Sequence, residues 1–224
     1  MSQSEVRSAA EARTQAAGRI APRVAGVVVG AAIVALAAQV AVPLPFTMVP
    51  LTLQPLAVLV VAGLLGATGG AAALALYLAA GAAGLPVFAG GAAGAIHLIG
   101  PTGGYLLAYP VAAAVTGRLA RSADGRTGGA AVARMLLASA AGMLVIHIGG
   151  VSQLALLSGS PEAAYHLGFR PFFANDLVKV GLAALVILGL RPRLRSIRGR
   201  PPAVRPGRSD AARTRVPARR RGAA

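Results

Sequence analysis

Between Val24 and Gly117 the chain contains no Lys, Arg, Asp or Glu, a run of 94 positions without a formal charge. Soluble domains carry roughly 25% charged residues spread over their surface. This sequence has 12%, against 56% hydrophobic residues. A helix crosses the hydrocarbon core of a bilayer in about 20 apolar residues, so the uncharged run has room for about four crossings. The chain is therefore read as an integral membrane protein.

Prolines, glycines and charges divide the sequence into six predicted spans. The first runs over residues 24–42 and stops at "VPLPF" (42–46), where prolines remove backbone donors and restrict their predecessors. The second covers about 51–66, a tight uncharged turn "GATGG" follows at 66–70, and the third covers about 71–88. The Gly-rich stretch 85–104 predicts a structured loop at one face, which a membrane tolerates only against protein or a wet cavity. Further spans are predicted at about 103–117, 135–157 and 172–190. Residues 1–23 read as a flexible basic tail, and residues 191–224, with twelve Arg and five Pro, as a disordered cytoplasmic tail.

Basic residues accumulate on the cytoplasmic side of membrane proteins. With both termini inside, the N-terminal tail, residues 118–134 and the C-terminal tail hold twenty of the 22 Lys and Arg residues, and only Arg170 falls outside. An odd number of spans puts one basic tail on the wrong face. The competing expectation is a signal peptide cleaved near "ALAAQ" (35–39), which leaves an odd number. The fold expected is thus all-α, with six transmembrane helices and both ends cytoplasmic, in the plasma membrane. The net charge of +16 then orients the protein and rests on anionic lipid, and no nucleic-acid partner is expected.

Asp176 and Lys179 are the charged residues left inside a predicted span. Each costs about 2.5–3.5 kcal/mol at mid-bilayer, so such residues face a bundle interior and carry function. Counting back from Arg191 at about 1.5 Å per residue puts Asp176 in the outer part of the membrane. Their three-residue spacing places both on one helical face. Two readings follow: an ion pair that neutralises itself, or the polar wall of a pocket for a small solute. "TLQ" (52–54) and "GGY" (103–105) begin spans at the same level, so Gln54, Gly103, Gly104 and Tyr105 join the candidate site. Gln39, Tyr77, Tyr109, His147 and Gln153 are read as satisfied packing residues. In the first span Ala31 and Ala35 form a small-residue face that lets another helix approach, within the bundle or from a partner.

Other chemistries lack their residues. Without cysteine there is no disulfide, zinc finger, iron–sulfur cluster or thiol nucleophile. No G-x-x-x-x-G-K-[ST] and no H-E-x-x-H occurs, and the three histidines are scattered, so neither ATP hydrolysis nor a metal site or cofactor is expected. Ser152, His147 and Asp176 make a conceivable triad, but G-x-S-x-G is absent.

Four motifs, "VPLTLQPLAVLVVAGLLG" (49–66), "LYLAAGAAGLPVFAGG" (76–91), "GPTGGYLLAY" (100–109) and "FFANDLVKV" (172–180), occur in the order seen in the BioY family, which the chain resembles over about residues 24–190. BioY proteins are the biotin-capture S components of energy-coupling factor transporters. The resemblance implies a six-helix membrane subunit, not an enzyme, that binds biotin near the outer face and works with a transmembrane coupling (T) subunit and two cytoplasmic ATPases. It assigns Asp176 and Lys179 to the pocket, adds Gln54, Gly103, Gly104 and Tyr105, and gives Ala31 and Ala35 to the coupling-protein contact. Asp176 would accept from a ureido N–H, and Lys179 would meet either the ureido carbonyl or the carboxylate. Asn175 stands where many relatives carry glycine, which leaves a related vitamin as the alternative substrate to biotin. The remaining alternatives are a membrane-embedded enzyme with Asp176 as acid or base, and an anchor for the arginine-rich tail.

Overall fold

A computed structural model describes residues 3–198. The arginine-rich segment beyond residue 198, expected to be disordered, lies outside the described residues. The chain is mostly helical: α1 Gln3–Gln39, α2 Gln54–Ala82, α3 Ile96–Ile99, α4 Gly103–Ala120, α5 Gly128–Ser158, α6 Pro161–Gly168 and α7 Phe173–Arg198. Helix α1 begins at Gln3, well before residue 24. The segment preceding the apolar run is rich in Ala, Glu, Gln and Arg, all good helix formers.

The all-α expectation is corrected between α1 and α2, where β1 Ala41–Leu44 and β2 Thr47–Thr52 form an antiparallel hairpin. The register pairs Ala41 with Thr52 and Val42 with Leu51, then shifts before Leu44 pairs with Thr47. Continuing the first register would set Pro43 opposite Pro50. Neither can donate to the ladder, so the pairing breaks there. The residues that stop the helix therefore still permit a short, interrupted ribbon.

Helix α2 is two arms folded back on each other at Gly66, whose φ of 80° and ψ of −179° lie far from helical values. A Cβ on Gly30 of α1 would stand 2.9 Å from Val61 and 3.1 Å from Ala73, although twelve residues span about 18 Å in a straight helix. Gln54 Nε2 also donates to the Tyr77 hydroxyl 23 residues away, about 34 Å along an unbroken helix. The turn expected at 66–70 thus falls on its first glycine. Glycine is required here because that backbone conformation is essentially closed to residues with a Cβ.

Helix α4 is the centre of the bundle, and its most extensive contacts are with α2 and α5. Ala112, Ala113, Thr116 and Ala120 are fully buried on it, and a Cβ on Gly117 would collide with the Gly66 turn. Small side chains bring the backbones close enough for dispersion to hold the helices without a hydrophobic drive from water. Outward-facing leucines, valines and isoleucines such as Leu36, Leu144, Leu156, Val178 and Leu185 are exposed, as a lipid-facing surface requires. Among the described residues four segments are long and apolar enough to cross a membrane: Ile20–Gln39, Gln54–Ala82, Gly128–Ser158 and Phe173–Leu194.

Loop clusters close the two ends differently. At one end Arg191 of α7 donates to the carbonyl of Ala120 and lies 3.5 Å from Asp124, while Arg121 sits beside the Gly66 turn. At the other, Ser160 caps α6 by accepting from the Ala163 amide at 3.1 Å, with Pro161 at the first helical position. These are strong helix-start residues, although no helix was expected there. Thr47 of the hairpin donates to the Leu167 carbonyl at 2.9 Å, tying the hairpin to α6.

Replacing Gly66 with Val is expected to lower stability by about 1–3 kcal/mol. Gly181→Ala in α7, where nothing lies within 4 Å of the added Cβ, should leave the melt unchanged or raise it. Thermal unfolding of both variants in detergent checks the contrast.

Candidate functional site

A cavity of about 350 Å³ lies among the hairpin, the starts of α2, α4 and α7, the middle of α5 and the loop before α4. Its walls are mixed. Val49, Pro50, Phe88, Leu106, Ile146 and Phe172 supply apolar surface, and Thr52, Gln54, His97, Tyr105, Tyr109, His147, Asp176 and Lys179 supply polar groups. Such a volume falls in the range of about 300–1,000 Å³ typical of small-molecule sites.

The polar end is organised by Asp176 in the first turn of α7, where the helix dipole favours a negative charge. Lys179, one turn later, donates from Nζ to Asp176 Oδ1 at 2.7 Å. His147 of α5 bonds through Nε2 to Asp176 Oδ2 at 2.9 Å. Asp176 and Lys179 are each only 5% exposed and His147 7%, so water does little to solvate them. Lys179 and His147 occupy one direction on each carboxylate oxygen, and an ionised carboxylate has about four acceptor sites. Asp176 therefore retains acceptor capacity.

Gln54 is 3% exposed. Besides its bond to Tyr77, its Oε1 accepts from the Thr52 hydroxyl at 3.3 Å, so it joins both arms of α2 to the hairpin at the cavity wall. Tyr105 lines the cavity with its ring, but its hydroxyl donates to the Gly168 carbonyl at 2.6 Å. That bond anchors the end of α6. Across the cavity the ring of Phe88 packs edge-on against Tyr77, with centroids 5.6 Å apart, and His97 lies 6.0 Å from Phe88.

Four of the six residues expected at the site thus line one cavity: Gln54, Tyr105, Asp176 and Lys179. Gly103 and Gly104 do not. A Cβ on Gly103 would meet the Leu98 carbonyl, and one on Gly104 the Gly149 carbonyl, so both serve the close crossing of α4 with the loop before it and with α5. Gln153, read as a packing residue, donates to the Leu98 and Gly100 carbonyls at 3.1 and 2.7 Å and fixes that loop. His147, a packing residue by its sequence context, is a direct partner of the central carboxylate. Its 29-residue separation from Asp176 leaves no local pattern to find. Ser152 is not among the lining residues, so the conceivable triad is not assembled around the cavity. Among the described residues no group of three His, Cys, Asp or Glu could hold a metal ion. On α1, Ala31 is buried and Ala35 half-buried, both turned toward the bundle.

The profile of the BioY family matches residues 8–196. The chain is 39% identical over 150 residues to the biotin transporter BioY of Thermotoga maritima, covering 67% of this chain and 85% of that protein. It is 37% identical over 182 residues to the biotin transporter BioY of Rhodobacter capsulatus, covering 75% and 94%. In fold it is similar to a crystal structure described as the S-component for biotin from an ECF-type ABC transporter, with a TM-score of 0.69 at 23% identity over 78% of this chain and 93% of that one.

The buried pair generates a stability prediction. Lys179→Met leaves Asp176 short of its cation and should destabilise the protein by about 3–5 kcal/mol, whereas adding Asp176→Asn removes the stranded charge and should recover much of the loss. Thermal midpoints of the single and double variants in detergent read the difference.

Proposed function

The chain belongs to the BioY family, and from that premise we propose that it captures biotin at the outer face of the membrane and delivers it with an energy-coupling module. The observation that carries the reading is the cavity itself, with an apolar body and one polar end made by Asp176, Lys179 and His147. Biotin has matching parts: a ureido group with two N–H donors and a carbonyl acceptor, a thioether ring and a terminal carboxylate. Asp176 accepts from a ureido N–H, Lys179 donates to a biotin oxygen, and Gln54 and Tyr105 close the walls.

In this proposal α1, the two arms of α2, α4, α5 and α7 make six crossings. Arg118, Arg121, Arg126 and Arg134 cluster around the loop between α4 and α5, at the end of the bundle away from the cavity. The positive-inside rule makes that end cytoplasmic, so the cavity opens outward and both termini lie on the cytoplasmic side of the plasma membrane. Transport energy comes from partners, a T subunit and two ATPases, because the sequence has no phosphate-binding loop. On α1 Ala31 is covered by the bundle, and Ala35, half-buried, keeps the part of this small-residue face that a coupling protein can reach.

Calorimetric titration of the detergent-solubilised protein tests this reading. Biotin should bind without ATP, thiamine and riboflavin should not, and Asp176→Asn or Lys179→Met should weaken binding by at least about tenfold, as truncating one partner of a buried charge pair does. A folded preparation that takes up no biotin, or variants that bind like the parent, would reject the assignment.

A further inference from the structure

Asp176 and Lys179 sit on one helix, and an i, i+3 pair can neutralise itself without fixing how the carboxylate is turned toward the cavity. The second oxygen is fixed from a different helix, by His147 Nε2 at 2.9 Å. An ionised carboxylate only accepts, so Nε2 must carry the proton in this bond. Nδ1 is buried and has no hydrogen-bond partner. A proton there would bury an unmet donor, whereas a bare ring nitrogen leaves only an acceptor unfilled. The ring is also wedged between aromatic neighbours, 4.9 Å from Phe169 at 70° and 6.4 Å from Tyr105 at 80°, so it has little freedom to turn.

The geometry points to His147 as the positioning residue of this site, an uncharged imidazole that donates from Nε2 to Asp176 and fixes the carboxylate's orientation toward N–H donors of the bound ligand. It acts through Asp176. The inference rests on the cavity being the biotin site, and it assigns the second oxygen of Asp176 to α5, so the polar end is held by two helices. A shift of α5 against α7 would then be felt as a turn of the carboxylate.

Two isosteres separate this role from simple packing. The amide nitrogen of Gln reaches the Nε2 position, whereas that of Asn reaches only Nδ1. His147→Gln should bind biotin within about threefold of the parent, and His147→Asn and His147→Phe should be weaker by about tenfold or more, the range for losing a hydrogen bond to a charged group. Equal loss in all three, or no loss in any, would overturn the proposal. The second measurement needs neither a variant's affinity nor biotin: ¹⁵N spectra of histidine-labelled parent protein in micelles, with His147→Gln used only to assign the signal. A protonated Nε2 beside a bare Nδ1 is expected, and a proton on Nδ1 overturns the proposal. If the folded parent binds no biotin, the functional reading fails while the spectra still decide the state of His147.

Discussion

A carboxylate withdrawn from water at the cavity end of the bundle sets the terms for the rest of this structure. Removing an ion from water costs several kcal/mol even after relaxation, and only close partners with good geometry offset it. Asp176 has two, Lys179 on its own helix and His147 on α5, and the start of α7 adds its dipole. These requirements hold α7 against α5 at one depth and place the charged groups together at one end of a cavity of mixed lining. The same partners leave acceptor positions on the carboxylate free, so the group that is costly to bury still brings acceptor capacity to the cavity it lines.

The surrounding scaffold is built mainly from small residues. With Ala112, Ala113, Thr116, Gly117 and Ala120 along its inner face, α4 lets α2 and α5 approach closely. Gly66 lets α2 reverse within one residue, returning Tyr77 to Gln54. Larger side chains would push these helices apart, as a Cβ on Gly117 would meet the backbone of Gly66 and Ala67. The loops at the cavity end are tied by few polar bonds, Thr47 to Leu167, Tyr105 to Gly168 and Gln153 to Leu98 and Gly100. Each joins segments distant in sequence: the hairpin to α6, α4 to α6, and α5 to the loop before α4.

Much of this was legible from spacing and composition. The uncharged run implied membrane helices, the Asp176–Lys179 spacing put both groups on one face, and the glycines at 66–70 marked the reversal in α2. The hairpin at 41–52 was missed because its prolines signal only that a helix stops, and its pairing depends on a register broken at Pro43. Gly103 and Gly104 belonged to a motif but serve helix crossing, since glycine permits close approach to backbone as readily as to ligand. His147 was invisible as a site residue because its partner lies on another helix, and a lone histidine in an apolar span has no periodic signature. Burial without water makes such partners necessary, but only the fold names them.

A crystal structure of the biotin complex decides whether this cavity is the binding site. Biotin is expected in the cavity among Phe88, Tyr105 and Phe172, with a polar atom within hydrogen-bond reach of Asp176 or Lys179, about 3.5 Å or less. Biotin seated elsewhere, or in the cavity with neither residue in reach, would contradict that assignment.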